Sequence, residues 1–198
     1  MATEKLDTAT RREQIAEAAL ALISEKGMQG LAIASLARRV GLVNSALYRH
    51  FNGKDEVLDA MLDLIGDRLM ANVKAVRRES ARPLDQLRQL LMRHIRLIRE
   101  NQALPRIVFS EEIYSGKPER RTKLFNIISR YLTNVSDIFS EGQKNGTIRS
   151  DTDPLVLAVM FLGLIQPAAI LWHLSNNKFD VTKHAEKAWG IFADGLSR

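Results

Sequence analysis

Residues 33–58 read IASLARRVGLVNSALYRHFNGKDEVL, and the spacing of their apolar side chains decides the fold. Leu36, Ala37 and Val40 share one face of a short helix. Gly41 follows, where the chain must reverse and a positive φ is expected. Leu47 and Phe51, four residues apart, give a second helix its apolar face, and Ala37 is small enough to let the two helices cross closely. Two short helices joined by a tight turn form a helix-turn-helix, whose second helix suits a DNA major groove. A third helix starts just beyond Asn52-Gly53.

The wording of the stretch is more specific than its periodicity. Leu47-Tyr48-Arg49-His50-Phe51, followed by Asn52-Gly53-Lys54-Asp55-Glu56-Val57-Leu58, resembles the LYxHFxxKxxL signature of TetR-family transcriptional repressors. The close resemblance covers about residues 10–64; beyond it only helix order and length are similar. It implies an all-α chain. Residues 1–55 would be a three-helix DNA-binding domain, and residues 56–198 a helical ligand-binding and dimerisation domain. Tyr48 and Lys54 match family positions that contact phosphate. The chain departs from the family at Ala32 and Ala34, where Ser or Thr and a basic residue are usual, and at Val43, where Ser is usual.

From the residues themselves, Arg39, Arg49, His50 and Lys54 are placed to face phosphate. Asn44 is the expected cap of the second helix. Asn44, Ser45 and Ala46 occupy its exposed first turn, with Val43 just before it. Asn can pair with adenine and Ala can touch a thymine methyl. Capping alone is the alternative role of Asn44, and half-buried packing that of Tyr48.

Composition narrows the class. The 198 residues suffice for one or two small domains, and a net charge of +6 suits a polyanionic partner. Yet residues 1–60 hold eight Lys/Arg against eight Asp/Glu, while residues 61–110 hold ten against five. Local arrangement therefore matters more than bulk charge. With no Cys there is no disulfide, thiolate metal site or cysteine nucleophile, and a reducing cytoplasm fits. The N-terminus, MATEKLDTATRREQ, is unlike a signal peptide, so a cytoplasmic location is expected. The run from Pro154 to Trp172 is uncharged and nearly long enough to span a bilayer, but Gly163, Gln166 and Pro167 favour a buried or interface helix, with no membrane partner.

Along the chain, Thr10-Arg11-Arg12-Glu13 has capping-box spacing, so a first helix is expected near Thr10, ending at Gly27. Leu58, Met61, Leu62, Ile65, Leu69, Val73 and Val76 stripe a linking helix of about twenty residues, about 30 Å long. Leu84, Leu87, Leu91, His94, Ile95 and Ile98 line the next. Asn101 to Pro105 reads as a break before one short helix ending at Ser115-Gly116. Pro118 opens another helix, on which Arg120, Arg121 and Lys123 read as a solvated face. Two apolar helices close the chain, one from Leu155 kinked near Pro167 and one from Asp180. They carry more apolar surface than one core needs, so a partner chain is expected. The family resemblance implies a homodimer through these helices, about 154–174 and 181–196.

The resemblance further implies a repressor of a palindromic double-stranded DNA operator, released by a small, mostly apolar effector. Candidate ligand-binding residues are Met61, Ile65, Leu91, His94, Phe109, Tyr131, Phe161 and Gln166, with Tyr114 and Trp172 as further possibilities. Core packing is the alternative for each. No cofactor or metal site is expected: His50, His94, His173 and His184 are scattered, without HExxH or Glu-x-x-His spacing. Glu111 and Glu112 are adjacent, hence about 100° apart on a helix and a poor catalytic pair. An enzyme is therefore not expected. The remaining alternative is a DNA-binding regulator without a small ligand, controlled by a protein partner or constitutive.

Overall fold

A computed structural model of the chain describes residues 7–196, apart from Phe109, Ser115 and the side chain of Tyr114. Among the described residues there are eleven α-helices and no strand. They are α1 (Thr8–Lys26), α2 (Ile33–Arg39), α3 (Asn44–Leu47), α4 (Lys54–Glu79), α5 (Pro83–Glu100), α6 (Ala103–Val108), α7 (Glu111–Tyr114), α8 (Pro118–Lys144), α9 (Pro154–Gly163), α10 (Gln166–Leu174) and α11 (Val181–Leu196).

The chain forms two compact units, Met1–Gly66 with Asn101–Leu124, and Asp67–Glu100 with Phe125–Arg198. They do not follow one cut near residue 55, because the segment from Asn101 to Leu124 joins the N-terminal head. Arg106 shows why: its guanidinium donates to the carbonyls of Ile23 and Ser24 at 3.0 Å, in the last turn of α1, where Ile23 also accepts the N–H of Gly27 at 2.8 Å. Ala103, Leu104 and Ile107 of the same α6 are buried against α1.

In the head, Ile15, Ala19, Leu22 and Ile23 of α1 are buried with Leu36, Ala37, Leu47 and Phe51. Gly41 takes φ 70°, and the N–H of Leu42 donates to the Ala37 carbonyl at 2.8 Å, closing the tight turn between α2 and α3. Several local expectations are corrected. The first helix is capped by Asp7, not Thr10: Asp7 accepts from the Thr10 N–H at 3.0 Å and from its hydroxyl at 2.6 Å. Val43, not Asn44, occupies the cap of α3, with no side-chain bond, so Asn44 is the first residue of the helix. Pro105 does not break the chain; it sits in the first turn of α6, where a missing N–H costs nothing. The expected single short helix is two, α6 and α7.

α4 is longer than its stripe suggested, 26 residues or about 39 Å without interruption. In the second unit, α5 packs on α11, and Leu87, Leu91, Ile95 and Ile98 of the first and Val181, Ala185 and Trp189 of the second are buried. Phe139, Phe161 and Phe192 form a ring cluster with centroids 6.2–6.5 Å apart. Pro154–Leu174 is long and apolar enough to cross a membrane by length and composition. Its helix is interrupted at Leu164 and Ile165, just before Pro167, and Leu157, Phe161, Ala168 and Trp172 are buried in this unit.

Gly142 of α8 allows a close crossing. A Cβ there would lie 2.8 Å from Ile148 Cγ1 and 3.2 Å from Pro83 Cβ, with the Ile148 Cδ1 atom nearer still. Ile148 is itself buried and Pro83 is rigid. Gly142→Val is expected to cost about 1–3 kcal/mol by overpacking, more than the helix-propensity gain of a few tenths returns. A urea denaturation midpoint equal to wild type would show that the crossing tolerates the side chain.

Candidate nucleic-acid interface

The head presents α3 as its motif requires. Leu47 and Phe51 are buried, each contributing about 1.5–3 kcal/mol of hydrophobic stabilisation. On the other side Val43 is 67% exposed and Tyr48 53% exposed, with Asn44, Ser45 and Arg49 also exposed and Ala46 half-buried. Because Val43 supplies the cap position, the Asn44 amide is not held in a capping bond.

Arg12 fixes the turn behind α3. Its guanidinium lies 4.1 Å from the Phe51 ring centroid, pairs with Glu56 at 2.8 Å and donates to the His50 carbonyl. Glu56 in turn accepts from the Asn52 N–H at 2.8 Å and from its side-chain amide at 3.0 Å, capping the start of α4. The Asn52 N–H, with Arg12 second, holds the Glu56 carboxyl below its ordinary range.

The expected phosphate-facing residues separate into kinds. Arg49 is exposed and has no acidic partner among the described residues, and Arg38, which sequence reasoning passed over, is the same. Their signal was available: neither has a carboxylate at a helical i±3 or i±4 position. Arg39 is instead bound in a two-pronged pair with Glu25, at 2.7 and 2.8 Å. Lys54 is partly exposed and lies 3.6 Å from Glu112. His50 is half-buried, and its Nδ1 is enclosed without a hydrogen-bond partner among the described residues.

The largest departure is on α8. Arg120 is only 3% exposed, not solvated. It pairs with Asp55 at 2.8 Å and Asp59 at 3.1 Å, while Lys117 reaches Asp55 at 2.9 Å and Lys123 reaches Asp63 at 2.7 Å. Lys117 and then Arg120 hold the Asp55 carboxyl below its ordinary range. The signal was an acidic i, i+4 stripe, Asp55-Asp59-Asp63, and a basic i, i+3 stripe, Lys117-Arg120-Lys123, separated by more than fifty residues.

The candidate ligand residues do not form one described group. Met61 and Ile65 are buried in the first unit. Leu91, Tyr131 and Phe161 are buried in the second, where Phe161 stands in the ring cluster. Trp172 is buried there too, whereas Gln166 is exposed on the first turn of α10. Phe109 lies outside the described residues, as does the side chain of Tyr114. His94 and Tyr131 do meet: Nδ1 and the hydroxyl are 3.1 Å apart, and the rings are nearly perpendicular at 87°. Part of His94 remains accessible, yet its ring stands deep enough that burial lowers its pKa to about 4. Burial raises the Tyr131 hydroxyl well above the phenol range. At neutral pH the pair is therefore uncharged. Gln86 and Gln89 of α5 have buried side-chain oxygens without partners, polar groups that sequence reasoning did not single out.

A reading helix braced from behind and open in front defines a helix-turn-helix regulator. Two family models account for nearly the whole chain. Residues 15–61 match the bacterial regulatory proteins of the tetR family, and residues 61–195 match the C-terminal region of YsiA-like proteins. The chain belongs to the TetR family of transcriptional regulators, and it is not an enzyme. Among relatives, the nucleoid occlusion factor SlmA of Vibrio vulnificus is 25% identical over 184 residues, 92% of this chain and 94% of that protein. The fatty acid degradation regulator FadR of Bacillus halodurans superposes with a TM-score of 0.80 at 22% identity, over 93% of this chain and 98% of its own. FadR of Bacillus subtilis, in complex with stearoyl-CoA, superposes with a TM-score of 0.77 at 22% identity, over 92% and 98%.

The electrostatics set a pH profile. The Asp55, Glu56 and Glu25 carboxyls are all lowered by their partners, so the stability they contribute is complete above their unfolded values, about pH 4–4.5, and is lost as pH falls through the folded values. His94, lowered from 6.5 to about 4, acts earlier: the unfolded chain takes up a proton that the folded one refuses, and stability falls between those values. Urea midpoints are expected to decline in two stages on acidification, and His94→Gln to remove only the first. An unchanged first stage in that variant would show that His94 is not its source.

Proposed function

We propose that this chain is a ligand-responsive repressor that binds a palindromic operator as a homodimer and is released by an acyl chain carrying a polar head, such as a long-chain acyl-CoA. The carrying observation is the exposed face of Val43, Asn44, Ser45, Tyr48 and Arg49 on a helix whose other face is buried through Leu47 and Phe51. In this reading Asn44, Ser45 and Ala46 meet base edges, while Tyr48, Arg49 and Lys54 meet phosphate. Arg39 and His50 take supporting places, given their bonds within the head.

The last helices support the dimer. Leu155, Val156, Val159 and Met160 of α9, Leu171 and Leu174 of α10, and Ile191 of α11 are large, apolar and exposed. So much apolar surface on neighbouring elements fits burial against a second copy. The acyl effector rests on the FadR likeness, on the apolar candidates Met61, Ile65, Leu91, Phe109, Tyr131 and Phe161, and on His94 with Tyr131 as a polar handle. The ligand releases DNA only by favouring the state that binds DNA less well; a coupling of about 1–3 kcal/mol gives about 5–150-fold. Cytoplasmic location follows from the DNA target. The SlmA likeness favours one alternative, a DNA-binding protein answering to a protein partner instead of a small molecule.

One set of binding curves tests this. Duplexes enriched from a random pool are expected to carry a palindrome with half-sites about one helical turn apart. Lys54→Ala should weaken binding and make its salt dependence shallower by about one ion. Unchanged affinity at moderate salt would remove Lys54 from the phosphate contacts. Stearoyl-CoA should raise the melting temperature and weaken DNA binding in proportion to its concentration. If it does neither, the acyl reading fails and the protein-partner alternative stands.

A further inference from the structure

Three acidic residues of α4, Asp55, Asp59 and Asp63, are spaced one turn apart, and Lys117, just before α8, meets them together with Arg120 and Lys123 in its first two turns. Arg120 is the centre of this ladder. Its Nη2 donates to Asp55 Oδ1 at 2.8 Å and to the Asp55 carbonyl at 3.3 Å. Its Nε donates to Asp59 Oδ1 at 3.1 Å, and its Nη1 to the Glu112 carbonyl at 3.4 Å. One guanidinium thus ties the first two turns of α4 to α7. All these residues lie within the same compact unit as α1–α3.

The first turn of α4 is gripped from two sides. Arg12 of α1 holds Glu56 at 2.8 Å, and Arg120 of α8 holds the neighbouring Asp55. Lys54 precedes both acids, and only the short stretch 48–53 separates this turn from α3. A helix start held by two arginines cannot rotate without breaking a charge-assisted bond, and a guanidinium that bonds two carboxylates one turn apart resists small tilts as well. Burial of Arg120 sharpens the constraint, because an enclosed guanidinium has no water to replace a lost carboxylate.

We propose that Arg120 is a positioning residue for DNA binding: by clamping Asp55 and Asp59 it fixes the first turns of α4, and so sets Lys54 and the end of the reading helix at the height where phosphate lies. The inference rests on the assignment of Lys54 to a phosphate contact. Arg120 touches no DNA itself; it acts through the helix that carries the contact.

A double-mutant cycle on the enriched duplex tests it, with the urea midpoint followed in parallel. Dissociation constants are measured at one moderate salt concentration for wild type, Lys54→Ala, Arg120→Met and the pair. Arg120→Met should weaken binding at least tenfold, and Lys54→Ala should then weaken it much less than in the wild-type background. A general loss of stability would leave the two effects multiplicative, because it does not single out Lys54. Asp59→Asn, which leaves Arg120 its bond to Asp55, supplies a milder version in case Arg120→Met fails to fold, with the same non-additivity at smaller size. Independent effects in both cycles, or full affinity in Asp59→Asn and Arg120→Met while Lys54→Ala still weakens binding, would overturn the positioning role alone. A Lys54→Ala protein with wild-type affinity would overturn the phosphate assignment and the positioning role with it.

Discussion

A helix of four residues cannot persist in water by its own hydrogen bonds, since nucleation costs more than one turn returns. α3 exists because Leu47 and Phe51 are buried beneath it and because Arg12 locks the turn that follows. That burial is the constraint on which the rest depends. It commits one face of α3 to the head and leaves Val43, Asn44, Ser45 and Tyr48 on the outside. The surface proposed to read DNA is what remains when the packing surface has been used.

The charge distribution follows the same logic. Residues 1–60 hold equal numbers of acidic and basic residues, a poor start for a polyanion partner. Half of those acids, however, are engaged in ion pairs: Glu25 with Arg39, Glu56 with Arg12, Asp55 and Asp59 with Arg120. Arg106 and Arg120, which balance part of this charge, come from the later segment Asn101–Leu124. Among the described residues, Arg38 and Arg49 are left at the surface without an acidic partner. Net charge over a stretch of sequence is therefore a weak guide to potential at a surface, because internal pairs cancel where they stand.

The second unit holds one polar pair deep among its apolar side chains. His94 and Tyr131 satisfy each other across α5 and α8 and stay uncharged. Apolar residues of α9, α10 and α11 divide into a buried set around Phe161 and Trp172 and an exposed set around Met160 and Leu171. For α9 and α10 the sequence pattern could not make that division. α9 and α10 are apolar nearly all round, so their periodicity carries little information about which face is covered.

The chain's family and its helical class were legible from residues 33–58, and its long helices from apolar spacing, whereas the division between α6 and α7 was not. Caps were less so: Thr10 and Asn44 have the right chemistry, yet Asp7 and Val43 hold the positions, since a cap depends on backbone angles that residue type only biases. The partners of Arg120 and Arg106, and hence the inclusion of Asn101–Leu124 in the head, were decided by tertiary structure alone. Periodicity is a local property, written again every three or four residues. An ion pair is fixed by a separation of a few ångströms between groups sixty or more residues apart, and only the folded chain sets that distance.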